Sequence, residues 1–363
     1  MPRRVQVNKY KIATDNYDID SIEFRPDDFQ FVGNRPEEHI DSTFASQDYW
    51  KDVLMRFRKN RGAVIGFFVI IIMVIMAIVG PMVSGYTYYE QTIEFQDFAP
   101  RIPGLEKIGI FDGTESMRIS GGSKVVLDKY NTTEGASDVY YWFGTDNLGR
   151  DIWTRTWMGT RISLIIAVTA VLIDMLIGMG YGLVSGYFGG AVDSVMQRIV
   201  EVVNSIPTLV IVTLLMLVFK PGLMTIILAL MISGWIGMSR IARAQMLKLK
   251  EQEYILASHT FGASNMTIIF KEVLPNIIGP IITNTMFSIP NAIFTEAFLS
   301  FVGLGVPAPQ ASLGSLISSG YNTFTMHPYQ ILPPLIVLAL LMLSFNMVAD
   351  GLRDALDPKM AQM

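Results

Sequence analysis

The sequence predicts an all-α polytopic membrane protein, and three observations carry that prediction. The chain is 51% hydrophobic and 17% charged, with a mean hydropathy of +0.39, more apolar than a soluble chain of 363 residues sustains. Its apolar residues are gathered into runs long enough to cross a bilayer. Its Lys and Arg collect in two polar stretches, one ahead of the first run and one between later runs, as in loops held on the cytoplasmic side.

Positions 1–61 read as a cytoplasmic N-terminal extension. Up to Tyr49 it is polar and acidic (Asp15, Asp18, Asp20, Glu23, Asp27, Asp28, Glu37, Glu38) and shows no hydrophobic period. An extended or disordered tail is expected there, with a helix entering the first span. Positions 62–84 form the first span. Its apolar run over 63–83 contains no charge, and about 20 residues at about 1.5 Å each cross a hydrocarbon core of about 30 Å. The run lies behind a polar segment and lacks a small-residue cleavage site, unlike a signal peptide. Lys51, Arg56, Arg58, Lys59 and Arg61 precede it and set the N-terminus in the cytoplasm.

Positions 85–141 then form an extracytoplasmic segment. The pairs Pro103-Gly104, Asp112-Gly113 and Gly121-Gly122 punctuate β-leaning stretches such as 124–127, so a small β-rich cap is expected. The membrane core runs from 142 to 348, with further spans over about 162–184, 199–219, 223–238, 277–299 and 331–348. Six crossings return the tail, 349–363, to the cytoplasm and place loop 240–275 there too.

Several function classes drop out. A net charge of −4 gives nucleic acid no reason to bind. The absence of cysteine excludes disulfides, thiol chemistry and cysteine metal sites. His39, His259 and His327 fall in different segments, so no metal site is expected. No G-x-x-x-x-G-K-[ST] phosphate loop occurs, so the chain should not hydrolyse ATP and is expected to be non-catalytic.

Two groups of residues suggest function. Loop 240–275 is a long polar stretch between spans that carries Arg240, Arg243, Lys248, Lys250 and Lys271. It reads as a short helical run, a break at Gly262, and a second run closing on Leu274-Pro275. Gly262 permits a positive φ between two helices, and Pro275 is expected to open the next helix, where its missing N–H costs least. The second group is polar residues inside spans. Asp174 lies among Leu172, Ile173 and Met175, where a charged Asp costs about 2.5–3.5 kcal/mol, so it should face the bundle interior. It reads either as a pathway group or as a hydrogen-bonded helix contact. Glu201 and Asn204, beside Arg198, and Glu296 late in the fifth span are further pathway candidates. Ahead of the second span, Asp146, Arg150 and Asp151 are expected to pair or to cap the following helix.

The core resembles the permease subunit of bacterial ABC importers, of the oligopeptide/dipeptide second-subunit (OppC/DppC) type. The resemblance runs over about 142–358 and rests on separate motifs. They are Phe143-Gly144-Thr145-Asp146-Asn147-Leu148-Gly149-Arg150-Asp151, Gly159-Thr160-Arg161-Ile162-Ser163-Leu164, and Gly186-Tyr187-Phe188-Gly189-Gly190 with Asp193 and Ile206-Pro207. Further along come Leu299-Ser300-Phe301-Val302-Gly303-Leu304-Gly305 and Gly351-Leu352-Arg353-Asp354-Ala355-Leu356-Asp357-Pro358. Loop 240–275 is similar to that family's EAA loop, matching at Gly262, Leu274 and Pro275 but reading Leu256-Ala257-Ser258 in place of Glu-Ala-Ala.

The resemblance implies the type I, MetI-like fold and a coupling helix that docks on an ATPase. Glu253, Leu256, Ala257, Ser258, Phe261, Gly262, Leu274 and Pro275 are its expected contact residues. It also implies a homologous second permease, two cytoplasmic ATPase subunits that use ATP and Mg, and an extracytoplasmic, lipid-anchored binding protein that delivers peptide. The chain itself would bind no cofactor and would sit in the bacterial plasma membrane, with both termini cytoplasmic. Oligopeptide is the expected cargo, with dipeptide or nickel as alternatives. A proton-coupled secondary transporter using Asp174 or Glu296 is the rival from another class.

Overall fold

The computed structural model describes residues 49–118 and 124–356. The acidic extension over 1–48 with His39, the Gly121-Gly122 turn and the Asp357-Pro358 end of the tail lie outside the described residues. The chain enters by α1 (Tyr49–Lys59) and turns at Asn60, whose Oδ1 accepts the Ala63 N–H at 3.2 Å, into α2 (Arg61–Val83). Residues 84–151 form a cap that contains β1 (Thr114–Arg118), β2 (Lys124–Asp128) and α3 (Lys129–Thr132). The bundle continues with α4 (Ile152–Phe188), α5 (Gly190–Asn204), α6 (Thr208–Phe219), α7 (Leu223–Leu249) and α8 (Glu253–Thr260). It closes with α9 (Asn265–Leu304), α10 (Leu313–Asn322) and α11 (Leu332–Leu356).

Among the described residues, five helices are long and apolar enough to cross a membrane, and α5 with α6 makes a sixth span if the bent pair counts as one. Their alternation gives the bundle two ends, one bearing the cap and α10, the other α1, α8 and the end of α11.

Several spans differ from their expected extent, two of them for a local reason. The second starts at Ile152 because Asp151 caps it, its Oδ2 accepting the Thr154 N–H at 2.9 Å and the Thr154 hydroxyl at 2.6 Å. The third is broken, with 77° between α5 and α6. Pro207 (φ −57°, ψ 133°) lies outside helical geometry, and its missing N–H and its ring cannot continue the helix that precedes it. The fourth, expected to stop near 238, continues as helix to Leu249.

Close packing and borrowed hydrogen bonds hold the bundle. Gly178, Gly182 and Gly186 form one stripe on α4, and a Cβ on either of the first two would collide with the Trp235 or Ser239 carbonyl oxygen of α7. Without side chains there the two backbones meet directly, the usual device where lipid supplies no hydrophobic drive. Pro81 inside α2 has no N–H to offer the Ala77 carbonyl four residues earlier. Arg161 Nε of α4 donates to that carbonyl at 2.9 Å, and Trp153 Nε1 donates to the Gly80 carbonyl at 2.8 Å. Deeper in, Glu296 is fully buried and accepts from Ser163 Oγ of α4 and Ser300 Oγ of α9, both at 2.7 Å. Ser312 Oγ, which caps α10, donates on to Ser300 Oγ at 3.0 Å. One carboxyl group thereby ties three helices.

The cap corrects the expectation of a β-rich unit. Its regular β structure among the described residues is one antiparallel hairpin, with Thr114 opposite Asp128 and Arg118 opposite Lys124. Aromatic packing does the rest: Phe98, Tyr130 and Tyr141 are buried together, with Tyr86 and Phe95 against them. Gly and Pro punctuation leaves runs too short for further strands. Two residues near the start of the last span clamp the cap to the bundle. Gln330 Nε2 donates to Asp97 Oδ1 at 2.8 Å and to the Thr145 carbonyl at 3.1 Å, while His327 Nδ1 lies 3.0 Å from both Glu115 carboxylate oxygens.

Two outcomes follow from these ties. In His327→Ala the β1–β2 amides should exchange with solvent about tenfold faster, the loss of one partly buried polar contact, and unchanged exchange would remove the clamp. In detergent, Glu296→Ala should lower the unfolding midpoint by about 5 °C, since two serine hydroxyls lose their acceptor. Glu296→Gln, which keeps one acceptor, should lower it less, and an unchanged midpoint in Glu296→Ala would contradict the network.

Candidate functional site

The first candidate site is the hairpin over 250–275. α7 ends at Leu249, and α8 packs back through Ile255, which is 3% exposed. Ile255 belongs to one apolar cluster with Met238, Ala242 and Met246 of α7, Leu183 of α4, and Ile268, Ile269, Val273 and Ile277 of α9. The short helix is therefore bolted to three spans by its buried face. The chain then reverses at Gly262, whose φ of 82° L side chains adopt only with strain. Ser264 starts α9 by accepting the Thr267 N–H at 3.2 Å.

Pro275 stands in the first turn of the regular α-helical stretch Leu274–Leu299, as the sequence expectation has it, but the helix around it starts earlier. α9 begins at Asn265 and passes through a π-helical turn, Ile268–Val273, before reaching Pro275. The proline follows a turn whose hydrogen bonding is already displaced, the Leu274 N–H reaching back to the Ile269 carbonyl.

The outer face of the hairpin is apolar and open. Phe261 at its tip is 91% exposed, and Tyr254, Leu256, Met266 and Phe270 are exposed beside it. Glu253 and Ala257 are exposed too, while Ser258 and Leu274 are half-buried. A groove of ≈ 330 Å³ runs alongside, lined by Tyr187, Phe188, Lys250, Ile255, Leu256, His259, Asn265 and Ile268. Lys250 Nζ donates to the Gly186 carbonyl at 3.0 Å and Tyr187 Oη donates to Asn265 Oδ1 at 2.9 Å, so the groove's walls are tied. The Arg243 guanidinium grips both Asp193 carboxylate oxygens, fastening α5 to α7 at the same end.

The second candidate site is a cavity of ≈ 350 Å³ among α4, the α5–α6 break, α7 and α9. Asp174 and Asn204 line it together, with Ile206, Thr208, Ser233, Gly234, Ser288, Asn291 and Thr295. The other two pathway candidates lie elsewhere. Glu201 is exposed and pairs with Arg198 at 2.6 Å, and Glu296 is enclosed in the serine network. Sequence reading passed over Ser288, Asn291 and Thr295, although their spacing puts one polar stripe on an otherwise apolar helix. It also passed over Tyr254, Met266 and Phe270, whose exposure depends on how α8 is seated.

The chain matches the family described as binding-protein-dependent transport system inner membrane component over residues 178–362. It also matches the N-terminal TM domain of oligopeptide transport permease C over residues 48–100. It is 42% identical to the oligopeptide transport system permease protein OppC of Bacillus subtilis, across 87% of this chain and 91% of that protein. It is 41% identical to the dipeptide transport system permease protein DppC of the same organism, across 92% and 94%. With DppC of Lactococcus lactis it shares 37% identity, across 92% and 98%. A chain of the MetNI methionine ABC transporter in an inward facing conformation superposes with a TM-score of 0.47 at 18% identity, covering 56% of this chain and 96% of that one. The chain belongs to the binding-protein-dependent transport system inner membrane component family and, within it, to the OppC/DppC-like ABC permeases.

Proposed function

We propose that this chain is the permease subunit of an ATP-driven importer of oligopeptides in the bacterial plasma membrane, forming one half of the translocation path. The observation that carries the coupling role is the rigidly seated hairpin with an open apolar face, Phe261 at its tip. An exposed aromatic cluster on a helix anchored by its other face is built to enter a partner's groove. The Lys and Arg clusters at 51–61 and 240–250 lie at this same end of the bundle, which supports a cytoplasmic hairpin, cytoplasmic termini and an outward-facing cap.

The partners are a homologous second permease, two cytoplasmic ATPases using ATP and Mg, and an extracytoplasmic binding protein, lipid-anchored where there is no outer membrane. Oligopeptide cargo follows the relative at 42% identity, and the dipeptide relative at 41% gives no stronger claim. The family match favours energy supplied by partner ATPases over the proton-coupled alternative.

Closure of the ATPases pushes on α8. Because Ile255 packs on α7 and α9, the push reaches those spans as rigid-body rocking rather than as local bending. α7 and α9 also wall the polar cavity, so the movement changes the cavity's access.

Reconstituted with its partners, Gly262→Val should lower ATP-dependent peptide uptake by about tenfold or more while basal ATP hydrolysis persists, because a β-branched residue cannot hold φ 82° without strain of about 1–3 kcal/mol. Phe261→Ala should weaken recovery of the ATPase subunits with the purified permease by about tenfold or more, the loss expected of an interface anchor. Uptake at the wild-type rate in Gly262→Val would show that the hairpin is not the lever.

A further inference from the structure

Among the described residues, the carboxylate in the polar cavity faces no counter-charge. Asp174 Oδ1 is enclosed without a hydrogen-bond partner among those residues, and no described Lys, Arg or His lines the cavity. Gly234 faces the same carboxylate, and a Cβ at that position would collide with it. The absent side chain on α7 leaves the space that Asp174 occupies. Asn or Ser would serve a helix contact at far lower cost than a carboxylate, which costs about 2.5–3.5 kcal/mol at the centre of a span. The remaining polar lining is uncharged: Asn204 and Asn291 offer donors and acceptors, and Ser233 and Ser288 offer hydroxyls. Such groups can meet backbone amides and carbonyls without selecting side chains. The volume, ≈ 350 Å³, sits near the lower end of the range of about 300–1,000 Å³ for small-ligand sites. It suits the terminal part of a peptide rather than a whole oligopeptide.

We propose that this cavity is a subsite for a protonated amine, the α-ammonium end of the transported peptide, with Asp174 as its counter-ion and Asn204, Ser233, Ser288 and Asn291 meeting the first backbone groups. The identity of the amine rests on the peptide-import reading above; the cation preference of the cavity rests on its lining alone.

The chain contains no cysteine, so a single reporter can be placed in it. In the assembled transporter, Ser233→Cys and, separately, Asn291→Cys are modified with cationic 2-aminoethyl methanethiosulfonate and with neutral methyl methanethiosulfonate, in Asp174 and Asp174→Asn backgrounds. The cationic-to-neutral rate ratio should be about tenfold higher with Asp174 present, the enrichment expected beside one negative charge in a partly solvated cavity. A dipeptide with a free amino terminus should protect the reporters, and its N-acetylated form should not.

Equal ratios in the two backgrounds would overturn the proposal, as would equal protection by both peptides. So would failure of both reporters to react in every nucleotide state, since a ligand could not reach the site. A shifted ratio in a transporter that imports no peptide would leave the cation site standing and remove the peptide-import reading instead.

Discussion

In the proposed coupling role, Ile255 carries a mechanical burden out of proportion to its size. It is the buried residue of an eight-residue helix whose other side chains are exposed or half-buried, and it sits in an apolar cluster shared by α4, α7 and α9. Eight residues are too few to be helical alone in water, so α8 depends on that seat for its existence as well as its position. Because packed interiors resist deformation, a force on the exposed tip passes into the spans instead of being absorbed in the loop. In that proposed role, the open apolar face, the tied groove and the glycine turn at Gly262 all rely on this seat.

The same constraint brings the two candidate sites into one mechanical unit. α7 and α9 flank the seat at one end and wall the polar cavity further along. The glycine stripe of α4 presses its backbone against α7, and the Arg243–Asp193 pair fastens α5, whose last residue Asn204 faces the cavity. Glu296 lies beyond the cavity and ties α9 to α4 and α10. Two carboxyl groups within the spans thus differ in surroundings, Glu296 holding helices together and Asp174 lining the cavity.

Much of this was legible before the structure, wherever the information is local. Apolar runs announce spans, and Asp151 before a helix announces a cap, because both depend on near neighbours in the chain. What escaped depends on distance. The break at Ile206-Pro207 was visible as a motif, but its bend between α5 and α6 was not, since the apolar run continues across it. Turn pairs suggested strands in the cap, where aromatic packing supplied the order instead. Pro275 marks the regular α-helical stretch it opens, but the pattern cannot show the π-helical turn ahead of it. The four-residue spacing of Gly178, Gly182 and Gly186 and the polar stripe on α9 were present as signals and were passed over. The pairing of Arg161 with a carbonyl freed by Pro81 had no sequence signal at all.

The most direct test of the coupling account uses the cysteine-free background. Thr260→Cys, exposed beside Phe261 at the tip and carried by the transporter assembled with its partners, is treated with a short thiol-to-amine crosslinker with and without ATP; Ile108→Cys in the cap serves as the control. The account predicts that position 260 joins this chain to an ATPase subunit, with a yield that changes with nucleotide, while position 108 does not. Active transport without any crosslink from position 260 to an ATPase subunit would contradict it.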